Sequence, residues 1–278
     1  MAENKEIGAP IGVFDSGYGG LTILRDIKQR LPQYDYLYLG DNARAPYGNQ
    51  SFDVVYEFTL QAVEYLFSRG CRLVILGCNT ASAKALRSIQ QRDLPRIAPS
   101  RRVLGVIRPT VEVLGSMSKS GKIGVMGTRG TIQSHSYDME MAKIAPGIEL
   151  FSQACPMWVP LIENKEYDQP GADYFVKKYV DMLMAQCPDI DTILLACTHY
   201  PLLADKIAQY LPSGVKLVSQ GPIVSESLAD YLLRHPEIES LCSRGGTVEY
   251  LTTEHGGNFG ELASVFLGEQ VEAQHITL

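Results

Sequence analysis

The feature that most limits the fold of this chain is a recurrence of short apolar runs, each followed by a longer stretch with one-sided apolar spacing. The runs are Ile11 to Phe14, Tyr36 to Leu39, Leu73 to Leu76, Val103 to Ile107, Lys122 to Met126, Thr192 to Leu195 and Lys216 to Val218. Their length and content predict strands. Between them, stripes such as Val55, Phe58, Ala62, Leu66 and Leu228, Tyr231, Leu232 predict helices with one buried face. Parallel neighbours joined by right-handed crossovers need a helix between them, so the alternation implies an α/β class with largely parallel sheets flanked by helices. Such sheets bind ligands at the carboxyl ends of their strands.

The 278 residues suffice for two ordinary domains. With 45% hydrophobic and 20% charged residues the chain should bury a substantial core. No sharp linker divides it. The Arg92 to Pro99 stretch and Leu211-Pro-Ser-Gly are the plausible crossing points, which gives a discontinuous first domain (1–104 and 217–278) and a second domain (105–216). The net charge of −6 comes without a basic stripe, so no nucleic acid is expected as a partner. Met1 to Pro10 has neither a basic n-region nor an apolar h-region, and no run reaches membrane-spanning length, so no membrane association and a cytoplasmic location are expected. The six cysteines form no Cys-x-x-Cys pair and no histidines cluster, so neither a metal nor a disulfide framework is indicated.

Two strand ends look like distant copies. Leu73-Val-Ile-Leu-Gly-Cys78-Asn79-Thr80 and Thr192-Ile-Leu-Leu-Ala-Cys197-Thr198-His199 each lead from an apolar strand through a small residue to a thiol and polar groups, about one domain length apart. A cysteine entering a helix N-terminus can have its pKa lowered, whereas a lone cysteine is more often a small buried hydrophobe. His199 adds an imidazole two residues after its thiol. Asp15-Ser16-Gly17-Tyr18-Gly19-Gly20 opens a helix, where it offers backbone N–H groups to an anion or simply caps the turn. Asp41 to Gly48 reads in isolation as a polar Pro-Tyr-Gly turn, Gly127-Thr128-Arg129-Gly130-Thr131 offers donors to a carboxylate without being a Walker loop, and Glu163 is either an acid/base group or a surface carboxylate.

Taken in order along the chain, these segments resemble the glutamate racemase family: the Val-Phe-Asp15-Ser16 opening, the Asp41 to Gly48 loop, Gly-Cys78-Asn79-Thr80-Ala-Ser, Gly-Thr128-x-x-Thr131, Glu163 and Ala-Cys197-Thr198-His199-Tyr-Pro. The resemblance covers Ile11 to the final helix. It implies two similar domains related by a pseudo-twofold, with the active site between them. It also implies a cofactor-independent enzyme that interconverts L- and D-glutamate and supplies the D-enantiomer for peptidoglycan. Cys78 would take the proton from D-glutamate and Cys197 from L-glutamate, assisted by Asp15, Glu163 and His199. Substrate contacts would fall to Asp15, Ser16, Tyr47, Gly48, Asn79, Thr80, Thr128, Thr198 and His199. A homodimer is left open. Lys165 and Ser219-Gln220-Gly221 depart from the family's usual residues and receive no role.

Two thiols suit this chemistry, because inversion needs a base on one face of Cα and an acid on the other. A cysteine pKa near ~8.5 keeps both states within reach. Charge developing on the α-carboxylate needs hydrogen-bond donors, for which Ser16, Asn79, Thr80, Thr128 and Thr198 are suited. Competing readings are an amidase with Cys197 as nucleophile and His199 as base, which leaves Cys78 unexplained; an amino-acid binding protein; and aspartate racemase. A pyridoxal phosphate racemase needs a lysine Schiff base, and Lys84 is expected instead to be a solvated helix side chain.

Overall fold

A computed structural model describes residues 8–255 and 259–278. The first seven residues, on which most of the reading of the chain start rests, lie outside that range. Two all-parallel sheets organise the chain. The larger runs β10-β9-β2-β1-β3-β4, with β1 Ile11–Asp15, β2 Tyr36–Gly40, β3 Leu73–Leu76, β4 Arg102–Gly105, β9 Val248–Thr252 and β10 Gln274–His275. The smaller runs β6-β5-β7-β8, with β5 Lys122–Gly127, β6 Glu149–Ala154, β7 Thr192–Ala196 and β8 Lys216–Val218. The order β6-β5-β7-β8 repeats β2-β1-β3-β4, so β3 and β7, the strands that lead to the two cysteine loops, occupy equivalent positions.

Three strands were not anticipated: β6, β9 and β10. The apolar run from Val103 to Ile107 also divides, because β4 stops at Gly105 and Ile107 begins a helix, Ile107–Met117. The expected division points at 104/105 and 216/217 fall inside β4 and β8.

Side chains alternate faces along the strands and so feed separate cores. Ile11 and Val13 of β1 join Leu21, Leu24 and Ile27 of helix α1 (Gly20–Arg30), whereas Phe14 points into the opposite core beneath helix α2 (Phe52–Ser68). In β7, Ile193 and Leu195 enter the first of these cores and Leu194 and Ala196 a third. The core shared by β1 and β7 is thus continuous between the sheets and fixes one against the other. Helix Gln220–Arg234 fills this seam through Val224, Leu228 and Leu232. Among the described residues, no helix is long and apolar enough to cross a membrane.

Candidate active site

Strand order reverses at β1/β3 in one sheet and at β5/β7 in the other, and the loops leaving these strands open a crevice. The loop after β1 carries Ser16 and Gly17, that after β3 Cys78 to Thr80, that after β5 Thr128, and that after β7 Cys197 to His199. All of these line one cavity, together with Tyr47, Gly48 and Glu163. Asp15 is the exception among the expected residues. It ends β1 behind the lining, with Oδ2 accepting from Gly17 N at 3.0 Å and Oδ1 buried without a partner. Burial pushes its carboxyl above the ordinary range.

Cys78 is the N-cap of helix α3 (Asn79–Lys84), its Sγ accepting from Ala81 N at 3.4 Å and donating to Ser16 Oγ at 3.4 Å. The expected lowering of its pKa does not occur. Burial, reinforced by the Asp15 carboxylate, outweighs the Ser16 and Ala81 bonds and pushes the thiol up to about 12. Cys197 has different company. Its Sγ lies 3.9 Å from His199 Nδ1, and His199 Nε2 lies 2.9 Å from Glu163 Oε1. Burial alone would lower the imidazole's pKa, but Cys197 and Glu163 together raise it to about 10 and so favour the cation. Glu163 is therefore no idle surface carboxylate. Phe266 packs edge-on against the imidazole with centroids 5.2 Å apart.

The glycines after β1 matter for close approach rather than turning. Gly19 has φ −59°, yet a Cβ there would collide with Thr198 Oγ1 and His199 Nδ1 of the opposite sheet, and one on Gly20 would strike Asp15. Gly48 is held likewise, since a Cβ would come within 2.9 Å of Thr128 Cβ. Tyr47, expected to touch substrate, gives its buried hydroxyl to Asp41, which also accepts from Arg44 Nε at 2.7 Å and Thr253 Oγ1 at 2.8 Å. Thr128 caps helix Arg129–Gln133, and its Oγ1 lies 3.0 Å from Thr80 Oγ1, a direct bond between the halves.

Several residues to which the sequence reading gave no part in the site have one in its structure or surroundings. Cys155 follows β6 and adds a third thiol to the lining. It went unnoticed because β6 itself did. Lys84 is not simply solvated: it is half-buried and donates to Gln50 O at 2.6 Å. Lys165 has φ 58° at the end of helix Trp158–Glu163, where Lys165 N bonds Ile162 O and Glu166 N bonds Leu161 O. This is a Schellman termination, whose left-handed position favours glycine. Gln220 binds Asn79.

The Asp/Glu/Hydantoin racemase family matches residues 11–226. The chain belongs to this family. A glutamate racemase from Ruegeria sp. (strain TM1040) is 40% identical over 94% of this chain and 97% of its own length. Among solved structures, a glutamate racemase isoform from Bacillus anthracis superimposes with TM-score 0.88 at 34% identity, covering 97% of this chain and 98% of its own. The glutamate racemase from Francisella tularensis in complex with D-glutamate gives 0.86 at 30%, with the same coverage. The racemase family thus accounts for both sheets, and the chain is an enzyme of the amino-acid racemase class.

Proposed function

We propose that this racemase interconverts L- and D-glutamate without a cofactor, using Cys78 and Cys197 as the acid/base groups on opposite faces of Cα. The observation that carries the reading is the equivalence of the two thiols: each follows the same strand of a repeated sheet order, and both line one cavity. A carbon held between them is flanked on both sides, as inversion requires. The high pKa of Cys78 keeps it a thiol at neutral pH, ready to donate, and the family resemblance assigns removal of the L-glutamate α-proton to Cys197. In the reverse direction the roles exchange, with Cys78 removing the α-proton and Cys197 donating. His199 and Glu163 assist on the Cys197 side, and Asp15 assists from behind Ser16. Ser16, Thr80, Thr128 and Thr198 are the neutral donors suited to charge developing on the carboxylate.

The proposal includes the domain division, with the boundaries moved to the ends of β4 and β8, and leaves a homodimer open. Protein dialysed against chelator, with no pyridoxal phosphate added, should abolish the circular dichroism of L-glutamate and act far more slowly on L-aspartate at equal concentration. An absolute need for metal or pyridoxal phosphate would sink the cofactor-independent mechanism. Binding without loss of optical activity would favour a binding protein, and an acyl-enzyme mass shift the amidase.

The cellular role proposed is supply of D-glutamate for peptidoglycan. Depleted cells should lyse and be rescued by external D-glutamate where uptake exists. Normal growth of depleted cells lacking any other source would overturn this role and leave the chemistry standing.

A further inference from the structure

Behind Cys78 lies a closed ring of hydrogen bonds drawn from both halves. Asn79 Nδ2 donates to Gln220 Oε1 at 2.6 Å, Gln220 Nε2 donates to the Tyr137 hydroxyl at 2.9 Å, and that hydroxyl donates to Asn79 Oδ1 at 2.6 Å. All three side chains are buried. Asn79 opens α3 next to Cys78, Tyr137 lies on helix Ser136–Ile144 over the smaller sheet, and Gln220 starts the helix that fills the seam.

The ring runs one way only. Gln220 Nε2 also faces Val106 O at 3.4 Å, a carbonyl that can only accept, and lies 3.0 Å from Thr110 Oγ1, whose own proton goes to Val106 O. These contacts hold the nitrogen of Gln220 inward and turn its oxygen to Asn79. Asn79 must then present Nδ2 to Gln220 and Oδ1 to Tyr137.

We propose that Gln220 is a positioning residue for the Cys78 side of the site, fixing Asn79, and through it the start of α3, against the opposite half. This rests on the two-thiol reading above. A buried ring broken at one corner leaves its neighbours unsatisfied, so the penalty exceeds that of one exposed bond.

The test uses Gln220→Met, which keeps the volume and removes the polar atoms, and Tyr137→Phe, which breaks the ring from the other half and keeps it testable if the first variant fails to fold. Each should lower kcat/KM about tenfold. L- and D-glutamate have equal free energy, so the fall must be the same in both directions, and the loss alone carries no face. The isotope effects do. With proton transfer at Cys78 slowed, the effect measured with D-[2-²H]glutamate should rise, because Cys78 removes that deuteron, and the effect with L-[2-²H]glutamate should fall. Folded variants with activity within twofold of wild type, or with both isotope effects unchanged or shifted equally, would overturn the role of Gln220. Wild-type protein that racemises neither labelled enantiomer would overturn the reading of the site itself.

Discussion

Alanine in place of either Cys78 or Cys197 is expected to lower racemisation in both directions by on the order of 10²- to 10⁴-fold, the range for removal of a general acid or base. The loss is mutual because each thiol serves both directions, once as acid and once as base. Brief incubation of L-glutamate with wild-type protein in deuterated water provides the companion test. Cys197 takes the α-proton while Cys78, already exchanged with solvent, delivers deuterium to the other face. Early D-glutamate should therefore be deuterated and residual L-glutamate largely protiated. Substantial activity in both directions after either substitution, or early product that retains its proton, would refute the assigned pair.

Gly19→Ala should be nearly as damaging, although the residue does no chemistry. Its φ of −59° suits alanine, so the backbone is not the obstacle. The added methyl would occupy space held by Thr198 Oγ1 and His199 Nδ1. Both belong to the loop that presents Cys197, and a shift of about 1 Å there costs on the order of 10²-fold in rate. Overpacking at a buried contact also destabilises by about 1–3 kcal/mol. Racemisation rate and thermal denaturation together check this. An alanine variant that keeps its melting temperature and its rate would show that the loops have room the structure does not display.

The two cysteine loops were legible from sequence because each follows a strand that is almost wholly apolar, as strands buried on both faces are. The same rule explains the strands that were missed. Glu149-Leu-Phe-Ser-Gln-Ala154 is an edge strand with partly exposed, mixed residues, Val248-Glu-Tyr-Leu-Thr252 carries Glu249 in an ion pair with Arg69, and β10 has only two residues. Val106 and Ile107 extended an apolar run because a buried strand end and a buried helix start have the same composition. In the site, the spacing of Cys78 and Cys197 was visible, but their surroundings were not. Burial raises the Cys78 pKa, and the charge of Asp15, 63 positions earlier in the chain, adds to the rise. Gln220 and Tyr137 reach Asn79 across 141 and 58 positions, in segments with no pattern of their own.

Two thiols that exchange roles as proposed would leave the enzyme with a memory, and here the two ends of that exchange have unlike neighbours. Cys78 has a serine hydroxyl and a backbone amide, and Cys197 has an imidazole backed by a carboxylate. A pair working as proposed ends every L-to-D turnover with the proton on the opposite sulfur from where it began. Product leaves a protein poised for the reverse journey, and another L molecule must wait until water restores the starting form. At low substrate that wait goes unnoticed, but at high substrate the reset itself sets the pace.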